Sequence, residues 1–188
     1  ISRKNTICAV LSHTQESLKY LWEIVRRAYD NMPEIYKPKH TKYNESELAF
    51  GDVNSKIFVS LSIRSTAVHN LHISELCLIE ANDIRASLAS VGPQGNITCE
   101  STANGVGNEG YEMYQDAKTG ENGFHARFYP WWVQKEYRVP LNGLTIYRSK
   151  EEAKLPVDDE QILWRRLTKK SQHSLFEQEF PESDETAF

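Results

Sequence analysis

The chain has 188 residues, of which 39% are hydrophobic and 26% are charged, as is typical of a globular protein. A chain of this length can bury one well-filled core, or a core with a small appendage. The formal net charge of −4 argues against a surface coated in basic groups for static DNA binding, and the lack of a long apolar run argues against a membrane span.

The N-terminal part of the sequence predicts a strand followed by a helix. Residues 6–12 form a compact apolar run that is typical of a buried strand. Thr14 is a suitable N-cap, the apolar residues after it recur at helical spacing, and Pro33 ends the helix. Alternating residues on both sides of Gly51 then predict a β-hairpin.

The rest of the chain alternates between strand and helix signals. In chain order we predict hairpin strands at 47–50 and 56–63, a strand at 71–74, a helix at 83–91, a turn at 92–95, a strand at 97–102, a helix at 109–117, a strand at 124–132 and a helix at 158–170 capped by Asp158. This alternation favours an α/β fold with a mainly parallel sheet flanked by helices. Residues 136–159 break the rhythm, so we interpret 1–135 as a core and 136–188 as a lid or insertion with a C-terminal linker helix.

A carboxylate follows the apolar strand predicted at residues 71–74. Ligands of open α/β sheets collect at the carboxyl ends of strands, where Glu75 stands. A glutamate in this place can polarise a water for attack on a phosphoryl group. The alternative is a strand-end glutamate in a surface ion pair, and this segment alone leaves both open.

A second cluster of polar residues follows the strand predicted at residues 97–102. Ser101, Thr102 and Asn104 would stand at the neighbouring strand tip, where hydroxyls and an amide can sense a γ-phosphate, and Glu100 is interpreted as structural or bonded to the loop. The alternative is a polar turn closed by Gly105. Taken together, the two tips favour a nucleotide hydrolase.

The same loop spells the dinucleotide-binding pattern GxGxxG with Gly105, Gly107 and Gly110. However, several polar or small residues separate the strand from Gly105, whereas a dinucleotide-binding turn is tight. The strand predicted at 124–132 also has no acidic residue at its end to bind a ribose. Hinge glycines are the preferred interpretation, and a Rossmann-type oxidoreductase remains an alternative of a different class.

Basic residues occur near the first tip and in the predicted C-terminal helix. Arg64 could reach the γ-phosphate of a neighbouring subunit, or it could be a solvated strand-end arginine. Arg165, Arg166, Lys169 and Lys170 cluster on the predicted C-terminal helix. Most such clusters are solvated faces or form ion pairs, and phosphate contact is the alternative.

The three cysteines indicate a reducing compartment. Cys8, Cys77 and Cys99 are odd in number and form no CxxC pair. Two of them fall in apolar strand-like runs, where a free cysteine behaves as a small hydrophobe. Reduced thiols are expected in the cytoplasm, and no Cys and His residues have the spacing of zinc ligands.

The order and spacing of several segments resemble the large terminase subunit of tailed bacteriophages, the ATPase motor that packages DNA into proheads. The segments that carry the resemblance are SIRS at 62–65, LHISE at 71–75, ESTANG at 100–105, WRR at 164–166 and the stretch at 176–188. The resemblance extends over most of the chain. It implies a P-loop NTPase fold of the additional-strand, conserved-glutamate type with a small lid.

The resemblance also implies roles for the residues at the two strand tips. Glu75 matches the catalytic glutamate, and Ser74 stands at the magnesium-linked position, where the family usually has an aspartate. Ser101, Thr102, Asn104 and Gly105 match the motif that couples hydrolysis to DNA movement. Arg64 lies where a trans-acting arginine could be. The implied cofactors are ATP and Mg²⁺, with no direct ligation of the metal by protein side chains.

Two parts of that family have no counterpart in this sequence. We expect the phosphate-binding loop, GxxxxGK[ST] or a variant, before Ile1, and a metal-dependent nuclease after Phe188. The chain is therefore expected to be an inactive piece of a longer ATPase and endonuclease. The implied partners are double-stranded DNA, the portal and prohead, the small terminase subunit and further copies in a ring, within the host bacterial cytoplasm.

Two other classes of protein remain open. One is another P-loop DNA translocase or helicase, which would need no prohead. The other is a non-catalytic assembly module in which an ancestral site has decayed, as Ser74 in place of an acidic residue suggests.

Overall fold

The computed structural model of the chain describes residues 3–188. The backbone forms two compact units, the first extending through Ser101 and including Asn108–Gly110, and the second comprising Thr102–Gly107 and Tyr111–Phe188. The chain crosses between the two units within residues 101–111. The functional division into 1–135 and 136–188 stays a prediction. Within residues 3–188, no helix combines the length and apolar character that crossing a bilayer requires.

The first unit is built on a six-stranded sheet with the order β2-β3-β4-β1-β5-β6. The strands are β1 (Ile7–Leu11), β2 (Lys42–Tyr43), β3 (Glu47–Phe50), β4 (Ser55–Ser60), β5 (Val68–Ser74) and β6 (Val91–Glu100). Strand β1 lies between β4 and β5 and is parallel to both, and β6 is parallel to β5. Strand β3 pairs antiparallel with both β2 and β4. The prediction of an α/β fold with a mostly parallel sheet is confirmed.

Helix α1 (Gln15–Asp30) covers one face of the sheet over β1 and β4. Its N-terminus is fixed by Thr14, whose side chain accepts a hydrogen bond from the backbone N–H of Ser17, as the sequence predicted. The buried side chains of Trp22 and Tyr29 pack with two residues of the β3–β4 hairpin, Leu48 and Phe50. Burial of this apolar stripe stabilises the helix on the sheet.

Helix α2 (Ala81–Ala89) connects β5 to β6 and packs against β6. Its Ile84 is fully buried, and so is Ser87, whose hydroxyl accepts a 3.2 Å hydrogen bond from the backbone N–H of Ile63. This helix confirms the one predicted at 83–91. It also completes the strand–helix–strand connection that parallel neighbours require.

The predicted turn at 92–95 is wrong, because these residues lie within β6. The pairing with β5 jumps from Val68–Val91 to Asn70–Asn96, so residues 92–95 form a bulge rather than a strand end. A side chain at Gly95 would begin 3.0 Å from the carbonyl oxygens of Gly92 and His69. The Gly-Pro signal therefore marks a close backbone approach within a strand.

The second unit is formed mainly by short helices around an aromatic cluster. The helices are α3 (Glu109–Thr119), whose first two residues group with the first unit, α4 (Asp159–Gln172), α5 (Phe176–Glu179) and α6 (Asp184–Ala187). The predicted cap of α4 is confirmed, because Asp158 accepts from the backbone of Gln161 in a capping box. The side chain of Asp184 binds Tyr114 and Lys118 of α3.

The predicted strand at 124–132 is wrong. These residues have no strand pairing, and the segment ends in a 3-10 helix at Trp131–Val133. Trp131 is buried, and its ring lies 4.9 Å from that of Trp164, which stacks on Tyr137 at 4.6 Å. Aromatic residues are buried in helical cores as well as in sheets, so an aromatic run does not by itself indicate a strand. Here the run packs in a core formed by helices.

Candidate functional site

Glu75 follows β5 directly, in a backbone conformation that residues other than glycine rarely adopt. Its φ of 58° and ψ of 49° lie in the left-handed helical region. Such a conformation is disfavoured for L-residues and persists only where surrounding structure holds it in place. The outlier therefore marks the end of β5 as a functional-site candidate, at the position that the sequence predicted for a catalytic base.

The end of β6 lies beside this turn. Ser74, the last residue of β5, is buried and is opposite Glu100, the last residue of β6. The backbone N–H of Cys77 donates a 3.1 Å hydrogen bond to the hydroxyl of Ser101. The structure thus brings Glu75, Ser74 and Ser101 to the same edge of the sheet.

Glu100 lies beside His72 at this edge. The ring Nε2 of His72 lies 3.4 Å from its Oε1. The nearby His72 ring, with smaller contributions from Ser74 and Glu75, holds the pKa of Glu100 below its ordinary value, against the opposing effect of partial burial. The sequence interpretation of Glu100 as structural did not reveal these contacts, because they depend on the register of two strands.

Thr102, Asn104 and Gly105 belong to the second unit. Thr102 and Asn104 are exposed, and Gly105 has a φ of +70°. Each of the three makes contacts in the structure. Their assignment as sensor and coupling residues stays a prediction.

Arg64 is engaged within its own chain. Its Nε donates a 3.1 Å hydrogen bond to the Ser62 hydroxyl, and its guanidinium lies 2.6 Å from the Oδ1 of Asp83, in the first turn of α2. The Arg64 hydrogen bond lowers the pKa of Asp83. The side chain is 61% exposed, and its trans-acting role stays a prediction.

The last glycine of the GxGxxG pattern has a packing role. Strand β6 ends at Glu100 and α3 begins at Glu109, so a loop replaces the tight turn of a dinucleotide-binding fold. A side chain at Gly110 would begin 2.6 Å from the Sγ of Cys77 and 3.0 Å from its backbone. Gly110 therefore permits the start of α3 to approach the turn after β5.

Two residues at the end of β1 were not predicted from the sequence. Ser12 is fully buried, and within residues 3–188 neither its Oγ nor the Nδ1 of His13 has a hydrogen-bond partner. They follow the central strand, whose neighbours are β4 and β5. The strand-tip rule, applied to the apolar run at 6–12, would have found them.

Comparisons with known proteins show what the fold is similar to. No protein-family model and no curated protein matches this chain. Among solved structures, the crystal structure of the HK97 bacteriophage large terminase has a similar fold, with a TM-score of 0.64 and 13% sequence identity. The similarity covers 96% of this chain and 39% of that chain. The chain has a terminase-like fold.

The terminase-like sheet has one open polar face over β5 and β6. Strand register places Asn70 beside Asn96 and His72 beside Thr98 on the face that α1 covers over β1 and β4. The side-chain amide of Asn96 donates a 3.2 Å hydrogen bond to Asn70, and Asn96, Thr98 and Glu100 are exposed. Parallel sheets are normally covered on both faces, so this half of the sheet is unusual.

The basic cluster on α4 forms ion pairs in the second unit. Arg166 binds the buried carboxylate of Glu152 through two nitrogens, at 2.7 and 2.8 Å, while Arg165 binds Glu182 and lies 3.8 Å from Glu152. The Arg166 hydrogen bond lowers the pKa of Glu152 to about 2, with a contribution from Arg165. Lys169 also pairs with Glu177 at 2.5 Å, so three of the four basic residues form ion pairs within this unit.

Proposed function

We propose that this chain is the water-activating and sensing part of a DNA-packaging ATPase of the large-terminase type. The observation that carries this proposal is the left-handed backbone of Glu75 at the end of a parallel strand, beside the hydroxyl of Ser101. Similarity of fold to the HK97 large terminase supports the same class.

Glu75 is proposed as the general base. A half-buried carboxylate at a strand end can accept a proton from a water that attacks the γ-phosphate of ATP. Ser101 is fixed from the turn after β5 by the Cys77 N–H. In this proposal it senses the γ-phosphate, and Thr102, Asn104 and Gly105 pass the signal on to the part of the motor that moves DNA.

ATP and Mg²⁺ are the proposed cofactors. Magnesium would neutralise charge on the phosphates during phosphoryl transfer. Within residues 3–188, no group of three or more His, Cys, Asp or Glu side chains could hold a metal ion. The Ser74 hydroxyl is uncharged and buried at the end of β5, and in this proposal it contacts a metal-bound water.

A phosphate-binding loop is the further part that this function requires. In the described chain β6 is the last strand on its side of the sheet, and the polar face beside it is exposed. A further parallel strand beside β6, with a right-handed crossover helix, would cover that face. We propose that the encoded sequence before Ile1 supplies this strand, followed by a Gly-rich loop with a lysine.

The proposed partners follow from the same assignment. They are double-stranded DNA, the portal and prohead, the small terminase subunit and identical copies in a ring, with Arg64 as the candidate arginine that acts across the subunit boundary. The proposed full-length protein also carries a nuclease and acts in the cytoplasm of the bacterial host during virion assembly.

The test uses the protein at its full encoded length. Glu75→Gln should reduce DNA-stimulated ATP hydrolysis by roughly 100-fold or more while ATP binding is unchanged, because only the base is lost. Glu80→Gln is the matched control, since Glu80 is exposed and its side chain caps nothing. Wild-type turnover in Glu75→Gln would overturn the proposal. Duplex unwinding without portal or prohead would instead indicate a helicase.

A further inference from the structure

We infer that Glu109 is a positioning residue of the proposed motor, because its ion pair with Arg85 fixes the start of α3 to α2, the helix that follows the turn at Glu75. Helix α3 then carries a displacement of that turn into the second unit. This inference rests on the proposed function. It assigns to Glu109 and Arg85 no contact with ATP or DNA.

The ion pair between Arg85 and Glu109 contains two hydrogen bonds. The Nε of Arg85 lies 3.0 Å from one carboxylate oxygen of Glu109, and its Nη2 lies 2.6 Å from the other. Two parallel bonds of this kind fix the relative orientation of both groups, because the guanidinium and the carboxylate are planar. Glu109 is the first residue of α3, its side chain is only 14% exposed, and both partners belong to the first unit. The pair therefore holds the first turn of α3 on α2.

A close backbone approach fixes the next residue of α3 to the turn itself. A side chain at Gly110 would begin 2.6 Å from the Sγ of Cys77 and 3.0 Å from its N and Cα. The N–H of the same Cys77 donates a 3.1 Å hydrogen bond to the hydroxyl of Ser101. Both ends of the segment 101–110 therefore lie against one residue, two positions after Glu75. A displacement of this turn moves the start of α3 with it.

The residues between these two ends form a weaker connection. Gly105 and Gly107 have φ values of +70° and +84°, and open space surrounds the position that a Cβ would take at either. Glycine permits many backbone conformations, so a segment with two of them can absorb a displacement. The coupling segment therefore needs a fixed helix start against which to act.

The later turns of α3 are fixed in the second unit. The hydroxyl of Tyr114 and the Nζ of Lys118 lie 3.1 and 2.6 Å from the Oδ2 of Asp184. From Tyr111 onwards the helix belongs to the second unit, whereas its first two residues belong to the first. A helix is held along its length by backbone hydrogen bonds, so α3 transmits a displacement of its start. Loss of the ion pair at that start releases only the first of these two anchors.

A simpler explanation of the Arg85–Glu109 pair is a contribution to stability alone. The Arg85 side chain is 63% exposed, and exposed ion pairs contribute little to the free energy of unfolding. If stability were the whole role of the pair, its loss would lower ATP hydrolysis and DNA movement to the same extent, through the fraction of folded protein. In our inference the two activities separate, because hydrolysis continues while DNA movement per ATP falls.

The experiment uses the full-length protein in a packaging assay with its portal and prohead. Arg85→Gln, Glu109→Gln and the double variant are compared with Glu47→Gln, which breaks the Lys42–Glu47 pair at 3.0 Å elsewhere in the sheet. We expect the length of duplex DNA protected from nuclease per ATP hydrolysed to fall roughly 3- to 10-fold, equally in all three variants of the pair. We expect kcat for ATP hydrolysis to stay within about twofold of the wild type, and the amides of residues 113–115 to exchange hydrogen about tenfold faster. Glu47→Gln should change none of these quantities.

The three readouts separate failure of the inference from failure of the proposed function. Unchanged hydrogen exchange in α3, wild-type DNA movement per ATP, or a loss of kcat that matches the loss of DNA movement would each overturn the inference. Additive effects in the double variant would also overturn it, because the two residues would then act separately. Wild-type ATP hydrolysis in Glu75→Gln, or no packaging by the wild-type protein, would overturn the proposed function instead.

Discussion

The backbone N–H of Cys77 lies 3.1 Å from the hydroxyl oxygen of Ser101, so the turn after β5 is bonded directly to the segment after β6. This bond joins the two strand ends at which the sequence predicts the catalytic glutamate and the sensor residues. It also means that the conformation at Glu75 can be tested through stability as well as through activity.

Glu75→Gly is expected to make the first unit more stable than Glu75→Ala does. Both substitutions remove the carboxylate, but only glycine adopts a φ of 58° without a steric cost. The expected difference in unfolding free energy is about 1 kcal/mol in favour of glycine. Urea titration of the two variants measures it. An alanine variant as stable as the glycine variant would show that the turn carries no strain.

The two fully buried serines, Ser12 and Ser87, are expected to respond differently to alanine. Ser87→Ala leaves the N–H of Ile63 without its acceptor, at a cost of about 1–3 kcal/mol. Ser12→Ala removes a hydroxyl that has no partner within residues 3–188, and it should be neutral or stabilising. Thermal unfolding of both variants provides the comparison. A large loss in Ser12→Ala would show that its hydroxyl does bind a group.

Gly110→Ala is expected to destabilise the start of α3 by about 1–3 kcal/mol. The added methyl would begin 3.0 Å from the backbone of Cys77, which cannot move without disturbing the turn after Glu75. Gly92→Ala is the control, since no atom lies within 4 Å of the methyl it would add. Chemical denaturation of the pair measures the difference, and equal stability would contradict the close approach at Gly110.

Glu152→Gln should destabilise the second unit by about 1–3 kcal/mol. The substitution removes the buried negative charge that Arg166 binds, so Arg166 loses its carboxylate partner, whereas Arg165 keeps Glu182. Glu151→Gln, next to it and exposed, should have almost no effect. Tryptophan fluorescence during urea unfolding reports the change, because Trp131 and Trp164 pack in this unit. Similar curves for both variants would count against a buried pair.

The carboxylate of Glu152 also makes the stability of the fold depend on pH. The pKa of Glu152 is about 2 in the folded chain against an ordinary value of 4.5, so the folded state favours the ionised form. Its contribution to stability is fully present above about pH 4.5 and is lost as the pH falls towards 2. Unfolding of the wild type from pH 6 to 2 should therefore show a loss that Glu152→Gln lacks. Parallel pH profiles would refute this assignment.

Local signals in the sequence predicted a large part of the fold. Thr14 and Asp158 are capping residues whose effect depends only on the next turn of helix, and the hairpin around Gly51 depends on alternation and a short turn. Parallel pairing of β5 and β6 followed from strand–helix alternation, and it placed Glu75 near Ser101. These features need no knowledge of distant residues.

The remaining features depend on contacts between distant parts of the chain. The aromatic run ending at Trp131 has the composition of a strand, and only the ring of Trp164 decides its environment. Glutamate has no preference for a left-handed backbone, so the sequence gives no signal of the turn at Glu75. The contacts of Glu100 require an exact register between β5 and β6, and that register is a property of the folded sheet.

The bulge at residues 92–95 is a place where β6 can accept inserted or deleted residues. A slip of one residue in a paired strand turns every side chain to the opposite face, which would carry Glu100 away from Ser74. Because residues 92–95 stand outside the regular ladder, an insertion or deletion there leaves the pairing from Asn70–Asn96 to Ser74–Glu100 in phase. In homologous chains we therefore expect length changes in this strand at its amino end, while the spacing from Asn96 to Ser101 stays constant.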